Sequence, residues 1–288
     1  MESQKVEVHA KIDASPREVY QALVSGDELT QWFTEYADVS LEDGRYDFWG
    51  KLTPGAPDRE AGRNKVLAYK PDQELKFSWT FRGKDTHVFI QLNEQGPGTS
   101  LKLVHLDLPT RKQGQYAVAD FWMLCLENLR QWVERKEQGV QCDFSNIQVG
   151  GIKLEVDIDA SSHEVFKTLV DPDRLNRYMG TNSNIQAEVG GDYEIGWGDE
   201  GPVKILEIEA DKKLCYSWQY PNTPDTVVTW TLEGSGGSTH LTLVHSGFAE
   251  DRPMEDYQIG WLKYLGQIKF LSELGESWQK VIATVNDF

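Results

Sequence analysis

The chain has 288 residues, 39% of them hydrophobic and 26% charged, with a net charge of −17. That length and mixture exclude a disordered polymer and suit one large or two ordinary globular domains, and so acidic a surface repels phosphate backbones and anionic bilayers, which excludes nucleic acid as a partner. The opening "MESQKVEV" lacks the apolar stretch a signal peptide needs and no apolar run approaches the roughly 18 residues of a span, so a cytoplasmic protein without membrane insertion is expected.

The first elements alternate and then switch period. "KVEVHAKID" alternates as a strand does, and Ser15-Pro16-Arg17-Glu18 fits a capping box with Pro16 at the first helical position. Gly26 and Asp27 break this helix and start a short one ending near Trp32. "TPGAPDREAG" (53–62), rich in Pro, Gly and charge, reads as a surface loop. In "LKFSWTF" (75–81), Leu75, Phe77, Trp79 and Phe81 share one face and polar residues the other. Val88, Ile90 and Leu92 continue the pattern, which is that of an antiparallel sheet with one covered face. The glycines of "EQGPG" supply a hairpin turn before "TSLKLVH" (99–105). Val118, Phe121, Trp122, Cys125, Leu129 and Trp132 then recur at helical spacing, giving a long closing helix. "KEQGVQCDFSNIQVGG" follows as a linker.

After the linker the chain starts again. "IDASPREVYQALV" (12–24) returns as "IDASSHEVFKTLV" (158–170), with eight of thirteen positions identical. Ser161 and Glu164 repeat the capping box, and Asp171-Pro172-Asp173 repeats the break before a short helix ending near Tyr178. "LCYSWQY" (214–220) answers "LKFSWTF", with Leu214, Tyr216, Trp218 and Tyr220 on the apolar face. Val228, Trp230 and Leu232 answer Val88, Ile90 and Leu92. "THLTLVH" (239–245) answers "TSLKLVH", and Trp261 on the last helix stands opposite Trp122. The offset falls from 146 to about 139 along the way, so the extra residues of the first copy lie in its middle loop. Whole-length order with one local length change means a duplicated domain, with boundaries at 1–140 and 150–288. Residues 1–146 carry 18 cations against 23 carboxylates, and residues 147–288 carry 11 against 23.

The order of elements, the paired phrases above and the helix-borne Trp resemble the SRPBCC, or START-like, helix-grip superfamily. Within it they are similar to the branch named for activator of heat-shock-protein-90 ATPase homologue. The resemblance covers nearly the whole chain as two tandem domains. It implies an α+β fold in which a curved antiparallel sheet wraps around a long C-terminal helix, with two short helices after the first strand. It further implies a cavity between helix and sheet, used across the superfamily for lipids, sterols, polyketides and other apolar ligands, and a protein partner of the chaperone kind.

Residue parity names the candidates for such a site. Trp79, Phe81, Ile90, His105 and Trp122 aim inward in the first copy, and Trp218, Tyr220, Trp230, His245 and Trp261 in the second. Aromatic bodies with polar tips suit an apolar pocket that is selective at a few points, and they equally suit a filled core. His105 and His245 have two roles open to them: a polar anchor or acid/base group beside a ligand, or a core-edge histidine satisfied by its surroundings. Trp230 opposite Ile90 should shrink the second cavity. No H-x-x-x-H, H-E-x-x-H or Cys pair points to a metal, "GWGDEG" (196–201) lacks phosphate-loop spacing, and no cofactor is expected. Cys125, Cys142 and Cys215 are read as unpaired thiols. The leading expectation is binding of a small apolar or aromatic molecule. The alternatives are a co-chaperone-like interaction module and a cyclase- or hydrolase-type enzyme working through a pocket histidine.

Overall fold

A computed structural model describes residues 4–197, 203–219 and 225–285. Two compact units divide the chain: Met1–Ile147 with Val281–Phe288, and Gln148–Lys280.

The first unit begins with β1 (Gln4–Ile12), which buries Val6, Val8, Ala10 and Ile12 on one face. Helices α1 (Pro16–Val24) and α2 (Gly26–Trp32) follow. Ser15 completes the reciprocal box: its hydroxyl accepts from Glu18 N, and the Glu18 carboxylate accepts from Ser15 N at 2.9 Å. The break between the two helices falls one residue earlier than the glycine suggests. Ser25 ends α1 and caps α2, and Gly26 is the first residue inside it. The hairpin β2 (Tyr36–Ser40) and β3 (Arg45–Trp49) stands apart from the main sheet. That sheet contains β4 (Val66–Lys70), β5 (Glu74–Phe81), β6 (Lys84–Gln95) and β7 (Gly98–Leu108), in the order β1-β7-β6-β5-β4. Helix α3 (Val118–Arg135) closes the unit.

The second unit repeats this with β8 (Ile152–Ile158), α4 (Ser162–Val170), α5 (Pro172–Met179), the short pair β9 (Asn184–Ile185) and β10 (Tyr193–Glu194), then β11 (Ile205–Glu209), β12 (Lys213–Trp218), β13 (Thr226–Ser235), β14 (Ser238–Ser246) and α6 (Glu255–Leu274). Its sheet order, β11-β12-β13-β14-β8, is the same. Both units are therefore α+β helix grips. Here only half of the expected capping box forms. Ser161 accepts from Glu164 N at 3.3 Å, but the Glu164 carboxylate is taken by Arg174 at 2.5 Å. The place of Arg174 in the first copy is held by Glu28, which cannot compete for Glu18.

The repeated phrases persist because they tie equivalent joints. Thr99 and Thr239 donate to the carbonyls of Ala14 and Ala160 at 2.7 and 2.8 Å. Tyr46 and Tyr193 donate to Leu23 O and Leu169 O at 2.6 and 2.7 Å. Glu134 and Glu273, near the ends of the long helices, accept from Asp13 N and Asp159 N.

Two features depart from the sequence reading. The segment expected to be a linker packs onto the first unit: Cys142 is buried, Phe144 meets Tyr116 and Phe121, and Asn128 donates to Val140 O at 2.7 Å. The other departure is the last strand, β15 (Ile282–Val285), which the repeat assigns to the second domain. It lies in the first unit, antiparallel to the outer edge of β1, with Val8 opposite Ala283 and His9 opposite Ile282. Among the described residues the matching edge of β8 has no strand beside it. There the Gln148 side-chain amide substitutes for one, accepting from Lys153 N at 2.7 Å and donating to Lys153 O at 2.9 Å.

We therefore expect residues 148–280 expressed alone to unfold cooperatively. Residues 1–147 should fold but be less stable by about 2–3 kcal/mol, two or three ladder hydrogen bonds at about 1 kcal/mol each, and should self-associate through the bare β1 edge. Urea midpoints and sedimentation, with and without residues 281–288 restored, would measure both effects.

Candidate functional site

The inward faces of β5, β6 and β7 meet α3 in one aromatic cluster. Trp79, Phe81 and Trp122 are each 1% exposed and Ile90 3%. The Trp79 ring lies 5.8 Å from Trp122, edge to face, 5.0 Å from Phe81, and parallel to His105 at 5.5 Å. Phe33, Phe48 and Phe121 complete its surroundings. Phe121 belongs to the periodic face of the closing helix, but Phe33 and Phe48 were not foreseen. Phe33 follows α2 and Phe48 belongs to the separate hairpin, so neither strand parity nor the closing helix pointed to them.

In the second unit Trp218, Trp230 and Trp261 converge in the same way. Trp261 lies 5.3 Å from Trp218 and 5.7 Å from Trp230. Trp230 donates to Tyr216 OH at 3.3 Å. Tyr220 lies outside the described residues.

Both histidines are wholly buried, and both of their ring nitrogens are occupied. The Thr86 hydroxyl donates to Trp79 O at 2.6 Å, so it accepts from His105 Nε2–H at 2.8 Å. His105 Nδ1 in turn accepts from Trp122 Nε1–H at 3.0 Å. Thr226, His245 and Trp261 repeat the relay at 3.2, 2.9 and 3.0 Å. A second proton would displace the indole donor from Nδ1. Burial pushes His105 down to about 3, helped by His87 and Arg82, and burial with Arg252 does the same to His245. These are neutral imidazoles holding the helix to the sheet, with no free nitrogen for proton transfer.

The two grips differ at one donor. Trp79 Nε1–H is buried and has no hydrogen-bond partner among the described residues. The equivalent Trp218 Nε1–H also lacks a bond of ordinary length, but Tyr257 on α6 brings its hydroxyl within electrostatic reach. One helical turn before Trp122, where the second copy has Tyr257, the first has Val118. An apolar side chain thus stands where the donor needs an acceptor. Beside Phe33 and Phe121, under the segment carrying Gln141, Cys142 and Phe144, lies a void of about 10 Å³. Asn128 Oδ1 and Gln141 Nε2 line it and are also unpartnered.

Among the described residues no group of three or more His, Cys, Asp or Glu side chains converges as metal ligands do, and no helix is long and apolar enough to cross a membrane. Cys125 and Cys215 are free thiols, and burial raises the Cys125 thiol well above its ordinary range.

The family model for activator of Hsp90 ATPase homolog 1-like protein matches residues 13–134 and again residues 159–273. No curated protein matches the chain. Among solved structures, CalU16 from Micromonospora echinospora is 28% identical over 42% of this chain and 73% of its own, with a TM-score of 0.38. DynU16, from the dynemicin biosynthetic locus, is 17% identical over 94% of this chain and 99% of its own, with a TM-score of 0.35. An Hsp90 activator from Plasmodium falciparum is 17% identical over 42% of this chain and 92% of its own, with a TM-score of 0.37.

Proposed function

Because the chain belongs to the activator of Hsp90 ATPase homolog 1-like family, once in each half, we propose that it is a non-catalytic binding protein whose first grip takes a small apolar or aromatic molecule bearing one hydrogen-bond acceptor. The observation that carries this reading is the unpartnered Trp79 Nε1–H, buried among rings, with Val118 in the place of the acceptor-bearing Tyr257. Leaving such a donor unsatisfied costs about 1–3 kcal/mol, which an acceptor on the guest would recover on binding. Gln141, Cys142 and Phe144, which line the void beside Phe33 and Phe121, are where a guest would have to enter. The second grip is the fuller one, since Trp230 stands in the place of Ile90 and Tyr257 approaches the equivalent donor. With both histidine nitrogens engaged, a histidine-driven enzyme has no support here.

Trp79→Phe tests this reading. It removes the orphan donor together with two ring carbons, so the relief of an unsatisfied N–H offsets the packing lost. The free protein should keep its unfolding free energy to within about 1 kcal/mol, while affinity for an aromatic ketone or phenol, found by native mass spectrometry, falls about ten-fold. Unchanged affinity for a guest that does bind would count against the assignment.

A protein partner is the second reading, favoured by one observation. Leu67 on β4 and Leu206 on β11 occupy equivalent places on the terminal strands of the two sheets and are 46% and 47% exposed, with Tyr69 beside the first. If a chaperone of the Hsp90 class is the partner, its ATPase rate should respond to this protein and lose that response on Leu67→Lys with Leu206→Lys. No response from the parent protein would remove this reading.

A further inference from the structure

The seven or so residues that lengthen the first copy fold back over the hairpin β2–β3 and form with it a cleft of about 550 Å³. Its lining carries Arg45, Arg59, Arg63 and Lys65 against Asp43 and Asp47. In a chain of net charge −17, that is a local inversion of sign. Comparison of the two copies shows how it arose. Arg45 pairs across an isolated antiparallel bridge with Lys65, and the equivalent bridge of the second copy joins Asp192 to Lys204. There the two side chains form an ion pair. In the first copy two cations face each other, an arrangement that is destabilising unless something neutralises it.

The neighbouring carboxylates do so only in part. Asp38 holds Arg45 Nε at 3.1 Å and also engages Arg59, whose guanidinium lies over the Trp49 ring. Asp43 stands 3.8 Å from Arg45, and Glu60 3.0 Å from Arg63, both in water, where such pairs contribute little. Lys65 makes no ion pair among the described residues. At the back of the cleft Asn64, 5% exposed, leaves its Oδ1 without a partner, whereas the second copy has a buried Val203 at that place. A buried orphan acceptor beside only partly neutralised cations calls for a ligand that is anionic and also carries one donor.

We propose that this cleft binds a small phosphate-type oxyanion, with its charged oxygens on Arg45, Arg63 and Lys65 and its protonated oxygen donating to Asn64 Oδ1. Hydrogenphosphate has that combination, and charge-assisted bonds to guanidinium groups are the strong ones. The rest of the surface repels anions, so adventitious association elsewhere is weak.

The test is titration of the intact protein with inorganic phosphate by calorimetry, at ionic strength held constant with chloride. Binding is expected in the parent. Arg63→Gln and Lys65→Gln should each weaken it about ten-fold, in line with loss of one charge-assisted bond. Both side chains are exposed, so the unfolding midpoint in chloride should stay unchanged, confirming that the fold is intact. Arg45→Asp, which restores the second copy's pairing with Lys65, should abolish binding, and Lys204→Gln in the second copy should leave it as it was. No heat with the parent, or the same heat with Arg63→Gln and Lys65→Gln as with the parent, would overturn the proposal.

Discussion

Lowering the pH from 7.5 to 5 should destabilise the first domain by about 2 kcal/mol, with the slope of a single proton, and replacing His105 should flatten that slope. In the folded state His105 is held neutral and lowered to about 3, against 6.5 for the free side chain. Between those values the unfolded chain binds the proton and the folded chain does not, so stability falls as pH falls. The contribution is fully present above 6.5 and lost through the window down to 3, at about 1.4 kcal/mol per pH unit. Carboxylates lowered by their partners, such as Glu7 through Lys102 and Glu18 through Ser15, begin to lose their share only below the ordinary value of 4.5, whereas Glu134, raised by burial, gains as pH falls and offsets part of the histidine's loss. Above pH 5 the histidine therefore dominates. His245 should act alike in the second domain, partly masked by His240. That residue is raised by its hydrogen bond to Asp157 and is stabilising when protonated. Urea unfolding of the parent, His105→Gln and His245→Gln at several pH values measures it. A parent slope that survives both substitutions would falsify the neutral-histidine account.

The second large effect belongs to Trp230. Trp230→Ile should cost the second domain about 3 kcal/mol, because it removes a 2% exposed indole from contact with Trp261 and takes the donor away from Tyr216 OH. It should also open an apolar space in a grip now filled by its own rings. A dry cavity of that kind takes up apolar guests, so benzene or xenon should raise the variant's unfolding temperature and leave the parent's alone. A loss below about 1 kcal/mol would mean that Trp230 is not part of the packing that closes this grip.

Much of this geometry was legible in the residues. Period-2 alternation placed Trp79, Phe81, Trp218 and Trp230 on the covered face, and helical spacing brought Trp122 and Trp261 to meet them, because both periodicities are local properties of the backbone. The recurrence of "LVH" in both copies pointed to His105 and His245. Their partners stayed hidden, since Thr86 and Thr226 sit on neighbouring strands nineteen residues away. Whether a set of inward rings encloses a space or fills it depends on rotamers and on residues such as Phe33 and Phe48, which no period announces. The segment 136–151, read as a domain linker, does contain the boundary between the units at Ile147 and Gln148, but its packing onto the first unit was not foreseen. Its polar composition suggests exposure, but Cys142 and Phe144 bury themselves against α3, a contact visible only once the helix is in place.

The strand β15 carries a consequence for the protein's synthesis. Thr284 Oγ1 reaches Glu7 O across a separation of 277 residues. At about 5–20 residues per second, the ribosome makes β1 some tens of seconds before the strand that will flank it. Through that interval the second domain is being translated, and the nascent first domain displays an unpaired edge to every other chain emerging nearby. Polysome crowding should therefore favour joining of neighbouring nascent chains through β1, and a bulky fusion placed directly after Val285 should prolong the exposure.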